Sequence, residues 1–600
     1  MRLPASERAR WALIVAVGIV AFVAMDLWWV LTYRDGYPMN VDEAGYTSIA
    51  LNNHLAFENF GVRGWWSSVQ TQTPNAPLLP ALTSVLMVVK TGLMEGYVVL
   101  IGFFALLIAA AYGIGERLAG PRLGALGAFV VATSEGALLF SREFVFAIPT
   151  AAMLACAVYA LLRSERMRST PWAIACGASI GLMLLARTMA IAFVPGLFAA
   201  ALIAMLAVER TDLPRRFLNL GLAALSAALV AAAWYWNNLQ PVLDYLTNYG
   251  YGARSDYYGA ETSTVSWGRF RAVADRVITD DLLVPLAALV VVAFIALAVV
   301  AVRRVLAAED RREAVLRLAA SDAVAVGIVI AAGFAALMTS QNGGNGFTLP
   351  IAMLMPPLAV VALRFYRAVA LPAAALLAAI GLLNLAATSN LWQDLAKFRS
   401  VEVPGFDYQA WLNGTPRSVG AVRAQVPGPS TQFTERDGGW LEADAELSRM
   451  LLDRIYTGTL PNGLTVFASR HRAISTNSLQ VAALLYHRTS LPLTQLESEP
   501  GGDTVANYEH QLTDPEKGLP SLLVTMNRNT DDFDPLVTQA KAEAAARRVG
   551  FRREQTMALP DGRQLRLWVR RAPEPPDTTL SRRSSPARGE PAGERGSPRG

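Results

Sequence analysis

The sequence predicts an all-α polytopic membrane bundle of about eleven transmembrane helices, followed by a C-terminal extracytoplasmic α/β domain. Three observations predict it. Of 600 residues, 53% are hydrophobic and only 17% charged, against roughly 25% charged in a soluble globular chain. The apolar residues fall into eleven runs of about 20, each long enough to cross a hydrocarbon core of about 30 Å as a helix with its backbone groups satisfied internally. From about residue 390 the chain changes to mixed charge, Pro/Gly punctuation and short alternating runs.

The eleven runs lie near 11–31, 95–115, 121–139, 143–162, 170–186, 188–207, 217–236, 282–302, 320–340, 349–365 and 368–387. The first exceeds the apolar length of a signal peptide and lacks an A-x-A site after it, so it reads as an anchored helix. Residues 76–92 are apolar but short and carry Pro77 and Pro80. If they do not span, 18 Arg fall on one side of the membrane with the N-terminus, against Arg142 and Arg187 in the short turns opposite. A span there would invert the positive-inside bias, so the segment is expected to lie along the interface, with the N-terminus cytoplasmic in a cell (plasma or inner) membrane. Residues 1–389 then form the membrane domain, and loops 32–94 and 237–281 face outward.

In the C-terminal region, Leu464–Ala468 and Leu522–Met526 read as buried strands and Asp534–Val549 as an amphipathic helix. Strands near 551–559 and 563–571 flank Asp561-Gly562, a hairpin signal. Residues 390–573 are therefore expected to form an α/β domain. The tail, 574–600, has no apolar periodicity and is expected to be disordered.

Composition also narrows the chemistry. The two cysteines, Cys156 and Cys176, sit inside apolar runs, which leaves no Cys-based metal or redox site. The net charge of +5 comes from Arg scattered between spans rather than gathered on one face, so no nucleic-acid partner is expected. No Gly-rich phosphate loop of the Walker or dinucleotide kind appears. His471, His487 and His510 have no ligand spacing, and any metal requirement stays open, a divalent cation included.

Attention falls on Tyr37-Pro38-Met39-Asn40-Val41-Asp42-Glu43-Ala44-Gly45-Tyr46, just beyond the first helix. Asn40 can cap a helix and Glu43, three residues on, can close a capping box. Asp42 is left without such a duty at a membrane surface, where a carboxylate can act as general base toward a hydroxyl. Asp42, Glu43 and, at the next outward turn, Glu143 are the candidate catalytic carboxylates. For Glu143 three roles are open: orienting an acceptor, sharing a divalent cation with Asp42, or pairing with Arg142 or Arg187.

An in-to-out first helix, the Asp-Glu-x-x-Tyr motif at Asp42 to Tyr46 and a Pro-containing interfacial segment, Pro74-Asn75-Ala76-Pro77-Leu78, together resemble the bacterial aminoarabinose transferase and protein O-mannosyltransferase family. Ser141-Arg142-Glu143, Gly181-Leu182-Met183-Leu184-Leu185-Ala186-Arg187-Thr188 and Trp234-Tyr235-Trp236-Asn237-Asn238 continue the match over roughly residues 10–390. Family members often carry a basic or His residue before a Pro-Pro pair, where this chain has Gln72-Thr73-Pro74-Asn75. The resemblance implies a GT-C fold and an inverting transfer of sugar from a polyprenyl-phosphate donor to a lipid, polysaccharide or protein acceptor at the outer face. It implies Asp42 as base. A lipid-linked phosphate at the interface needs cations, and Arg187 and Arg142 sit at that depth, where an Arg can also simply snorkel from a helix end. Tyr46, Tyr249, Tyr251 and Tyr257 offer aromatic faces for sugar or acceptor, although such residues also populate interfacial belts. Two rival classes fit the bundle: a lipid or solute transporter, which would place charges and broken helices near the midplane, and a non-catalytic glycan-assembly protein.

The Arg asymmetry predicts that a reporter fused at residue 400 reads as extracytoplasmic. Cytoplasmic reporter activity there would overturn the topology and the site assignment with it.

Overall fold

The computed structural model describes residues 5–34, 39–207, 212–252, 263–340, 343–344, 346–389, 391, 439–456, 463–469, 471, 473–498, 501–515, 518–527 and 537–570. Two expectations, the tail after 574 and the residues from 392 to 438, lie outside them.

Each of the eleven apolar runs carries helix. In order come α1 (Ala5–Tyr33), α2 (Val41–Val69), α3 (Leu78–Leu86), α4 (Met94–Ala119), α5 (Pro121–Ala132), α6 (Glu135–Phe140), α7 (Ala147–Arg163) and α8 (Thr170–Ala186). A 3-10 turn (Thr188–Phe193) leads into α9 (Val194–Leu206). Then follow α10 (Leu213–Tyr245), α11 (Trp267–Arg276), α12 (Val284–Leu306), α13 (Arg311–Ala319), α14 (Asp322–Met338), α15 (Leu349–Ala352), α16 (Met355–Ala359) and α17 (Arg367–Thr388). Six described helices are long and apolar enough to cross a membrane, or seven if the bent pair α13 and α14 is one span. The other apolar runs form shorter helices. The run 121–139 breaks at Thr133-Ser134, and 349–365 breaks at Met353-Leu354, ahead of Pro356 and Pro357, since proline removes a backbone donor and clashes with the preceding turn.

Residues 76–92 hold only α3, nine residues long, which reach about 14 Å and cannot cross. The loop expected from 32 to 94 is largely helical, because α2 runs on to Val69 through a kink at Gly61, whose φ of 64° suits glycine.

Small residues set how closely the helices approach. A Cβ at Gly177 would lie 1.9 Å from the Ala223 carbonyl oxygen and one at Gly181 2.7 Å from that of Ala227. Gly177 and Gly181 form a GxxxG face on α8 that lets α10 seat backbone to backbone, an arrangement favoured where no hydrophobic effect drives helices together. Gly115 on α4 and Gly124 on α5 repeat the device.

The C-terminal part contains α18 (Trp440–Tyr456), β1 (Thr465–Phe467), α19 (Thr476–His487), β2 (Leu493–Gln495), α20 (Val505–Thr513), β3 (Leu522–Met526), α21 (Gln539–Arg548), β4 (Phe551–Ala558) and β5 (Gln564–Arg570). The strands form one sheet in the order β2-β1-β3-β5-β4, with β1 parallel to β2 and β3, and β5 antiparallel to β3 and β4. The hairpin at Asp561-Gly562 is present, with Gly562 at a φ of 80°. Alternation divides β3: Leu522, Val524 and Met526 join Leu447, Leu451 and Leu479 on one face, while Leu523 joins Tyr508, Leu512 and Ala545 on the other.

Helix α19 has two apolar faces. Leu479 and Ala483 face the sheet, whereas Val481 and Leu484 join the core of the membrane helices. The sheet is thereby docked on α2, with a Glu58–Arg488 ion pair beside the contact.

Gly177→Ala is expected to destabilise the bundle by about 1–3 kcal/mol, the usual result of forcing a methyl group into a closed contact. A thermal melt of the detergent-solubilised protein checks it. An unchanged midpoint would show that α8 and α10 are not held at this distance.

Candidate active site

The site is organised by the start of α2. Asn40 Oδ1 accepts from the backbone N–H of Asp42 (2.9 Å) and of Glu43 (3.0 Å), and Glu43 Oε2 accepts from Asn40 N–H (3.3 Å). This is the capping box expected from the sequence. Glu43 does more, because it is fully buried. Arg34 Nη2 donates to both of its oxygens (2.7 and 2.6 Å), while Tyr97 Oη and Phe144 N–H each donate to Oε1 at 2.9 Å. One carboxylate therefore ties the end of α1, the start of α2, helix α4 and the turn before α7.

With Glu43 turned inward, its neighbour Asp42 faces a cavity of about 240 Å³. Tyr46, Asn75, Phe146, Arg187, Tyr245 and Phe347 share its wall, with Asn477 from α19. Arg187 ends α8 in extended geometry and is only 7% exposed. Its guanidinium lies over the rings of Phe146 and Phe347, 3.7 and 3.2 Å from their centroids, where cation–π attraction offsets part of its desolvation. Neither the Arg187 guanidinium nor the Asp42 carboxylate has a hydrogen bond or ion pair among the described residues. Both keep their polar edges for the cavity.

The electrostatics follow from depth. Asp42 is open to the cavity but densely surrounded by protein, and this desolvation raises its pKa above the ordinary carboxylate value, opposed by Arg187 and assisted by Glu43. Tyr46 is raised for the same first reason, then by Asp42. Glu143, 8% exposed, is pushed up to about 8 by burial and then by Glu43 and Asp42. Its Oε1 accepts from Asn40 Nδ2 at 2.6 Å, so Asn40 caps α2 with its oxygen and holds Glu143 with its nitrogen. No group of three or more His, Cys, Asp or Glu able to hold a metal ion occurs among the described residues.

Not every expected residue comes to the cavity. Arg142 does not face it: its Nε donates to Asp26 (2.6 Å), its Nη2 to Ser389 Oγ (2.7 Å) and its Nη1 to the Thr388 carbonyl (3.1 Å), with its guanidinium over Trp29. The reason is that Asp26 is fully buried near the end of α1, and a carboxylate there requires a cation. Tyr249 packs on Tyr245 at 5.2 Å, and Tyr251 is exposed with its hydroxyl near Thr339. Tyr257 lies outside the described residues. Conversely, Phe146, Phe347 and Asn477 carry no local signal of a site. Asn477 stands 436 residues from its partner Val41, a juxtaposition no motif reveals.

Residues 68–236 match a family model described as dolichyl-phosphate-mannose-protein mannosyltransferase. The whole chain is similar in fold to ArnT from Cupriavidus metallidurans bound to undecaprenyl phosphate, at 14% identity and a TM-score of 0.51, covering 93% of this chain and 98% of that one. The apo state of the same protein gives a TM-score of 0.50 at the same identity and coverage. No curated protein sequence matches. The chain thus has an ArnT-like GT-C fold with a small C-terminal sheet domain.

Because Glu43 has an Arg, a Tyr and two backbone partners, Glu43→Gln is expected to act on folding first. It leaves Arg34 buried beside a neutral amide, a change of the kind that costs about 3–5 kcal/mol when one partner of a buried ion pair is removed. Thermal unfolding compared with Asp42→Asn tests this: Asp42→Asn should melt near wild type, and equal melting of all three proteins would refute the structural role of Glu43.

Proposed function

We propose that this protein is a membrane glycosyltransferase that moves a sugar from a polyprenyl-phosphate donor to an acceptor on the outer face of the membrane. One observation carries the reading: a carboxylate, Asp42, and a guanidinium, Arg187, neither with a hydrogen bond or ion pair among the described residues, share one cavity at the end of a membrane bundle, beneath a sheet domain. A transporter would need its charged groups within the spans, near the midplane.

The chemistry is a single displacement. Asp42 takes the proton of the acceptor hydroxyl as its oxygen attacks the anomeric carbon. The bond from that carbon to the phosphate oxygen breaks, and its electron pair leaves with the polyprenyl phosphate, which inverts the anomeric centre. Arg187 meets the negative charge that develops on the leaving phosphate. Its planar fork suits phosphate oxygens, and fixed aromatic rings hold it in place without reorganisation during the step. Tyr46 and Tyr245 supply aromatic faces and hydroxyls for the sugar. Glu43 positions Asp42, and Glu143, which is not part of the cavity wall, accepts from Asn40 Nδ2 and so braces the cap from which the base projects. The family-model match and the ArnT-like fold support a lipid-linked donor.

Asp42→Asn is expected to lower the transfer rate by about 10² to 10⁴ at saturating donor, the usual contribution of a general base. Wild-type transfer should be full above the raised Asp42 pKa and fall as pH drops through it, because only the carboxylate accepts the proton; the Asn variant should lack this acidic limb. Arg187→Ala should weaken donor binding about 10- to 100-fold, since a charge-assisted hydrogen bond contributes about 1.5–3 kcal/mol, with Arg187→Lys recovering part. An Asp42→Asn rate within about threefold of wild type would sink the base assignment.

A further inference from the structure

Asn477 reaches the cavity from outside the membrane bundle. It is the second residue of α19, whose first turn is fixed by a reciprocal cap: Ser475 Oγ accepts from Ser478 N–H (3.2 Å), and Ser478 Oγ accepts from Ser475 N–H (2.9 Å). The helix is in turn clamped on α2 through Val481, Leu484 and the Glu58–Arg488 pair. Asn477 is therefore mounted on a rigid support rather than on a loose loop.

Its amide is also oriented. Nδ2 donates to the carbonyl of Val41 at 2.8 Å, the residue immediately before Asp42. A carbonyl can only accept, so the nitrogen must face Val41 and the oxygen must face away. Among the described residues no donor reaches that Oδ1, although Asn477 lines the cavity. Gly45, one turn along α2, leaves the room for this approach, since a Cβ there would stand 3.0 Å from Asn477 Nδ2. A neutral carbonyl oxygen that lacks a donor recognises hydroxyl or N–H groups and offers nothing to a phosphate.

We propose that Asn477 reads the acceptor: its Oδ1 accepts a hydrogen bond from a second hydroxyl of the molecule whose first hydroxyl is presented to Asp42. This rests on the glycosyltransferase reading above and commits the acceptor to a sugar or other polyol, in which a second hydroxyl lies next to the first. The base must touch the nucleophilic hydroxyl, and Asn477 hangs on the residue next to the base. It thus meets the acceptor rather than the lipid end of the donor, which Arg187 holds. The extramembrane domain acts as a specificity element by lending one side chain to the membrane cavity.

The test uses the full chain in lipid nanodiscs, polyprenyl-phosphoryl mannose as donor, octyl α-mannoside as acceptor and water as the competing acceptor. Hydrolysis needs the same base and the same phosphate contact but has no second hydroxyl to be read. Asn477→Ala is expected to raise the KM for octyl α-mannoside and lower the ratio of transfer to hydrolysis by about 3- to 10-fold, the range of one neutral hydrogen bond. Gly45→Ala, which crowds Asn477 without altering its amide, should shift the same ratio in the same direction. Transfer and hydrolysis falling in parallel in both variants would make Asn477 only a brace for α2 and overturn the proposal. Wild-type protein that hydrolyses the donor but does not use octyl α-mannoside would overturn the acceptor class. Wild-type protein that turns over no donor would overturn the glycosyltransferase reading itself, a result distinct from the other two.

Discussion

Glu43 is the constraint from which the geometry of the site follows. A carboxylate removed from water is tolerated only when its charge is matched and its lone pairs are filled. Arg34, Tyr97 Oη and the backbone N–H groups of Asn40 and Phe144 fill them. Those donors come from four separate parts of the chain, so satisfying one side chain fixes the relative positions of all four. Asp42 inherits its place from this arrangement. It is adjacent to Glu43 on a helix, its side chain leaves in a different direction, and that direction opens into the cavity.

A second buried pair, Arg142 with Asp26, performs a related task where α1, the turn between α6 and α7 and the end of α17 meet. Together the two pairs make the cavity end of the bundle polar inside and rigid. Burying such pairs contributes little net stability, and their value here is in specifying one arrangement of helix ends. The glycine seams between α8 and α10 and between α4 and α5 bring the helices close enough for that arrangement to close. Arg187 differs from Arg34 and Arg142 in having aromatic rings where they have carboxylates. It is held in place without being neutralised, as the proposed contact with a phosphate requires.

The C-terminal domain belongs to the same construction. Helix α19 gives one face to the sheet and the other to α2, so the sheet cannot shift without disturbing the helix that carries Asp42. Asn477 extends this coupling into the cavity itself. A division in which the membrane part performs chemistry and the sheet part stands apart does not describe this fold, because the cavity wall is made from both.

Much of this is legible in the chain itself. Apolar runs near 20 residues, Arg clusters between them, the Asn40–Glu43 cap spacing and the Asp561-Gly562 hairpin are local signals. Each depends on residues within a turn or a span of one another, and local physics writes them directly into the sequence. The same locality explains where the reading stopped. Glu43 looked like a cap because its nearest partner, Asn40, is three residues away, whereas Arg34, Tyr97 and Phe144 are joined to it only by folding. Arg142 and Arg187 looked alike as lone cations in short turns; the difference between them is Asp26, 116 residues from Arg142, against two phenylalanines beside Arg187. The sequence by itself determined the class of fold, the helix runs and the motif that holds Asp42. Only the tertiary structure decided which charges are spent on each other and which remain open, because the pairing of buried groups is set by long-range packing and by the cost of leaving a charge in the interior without a partner.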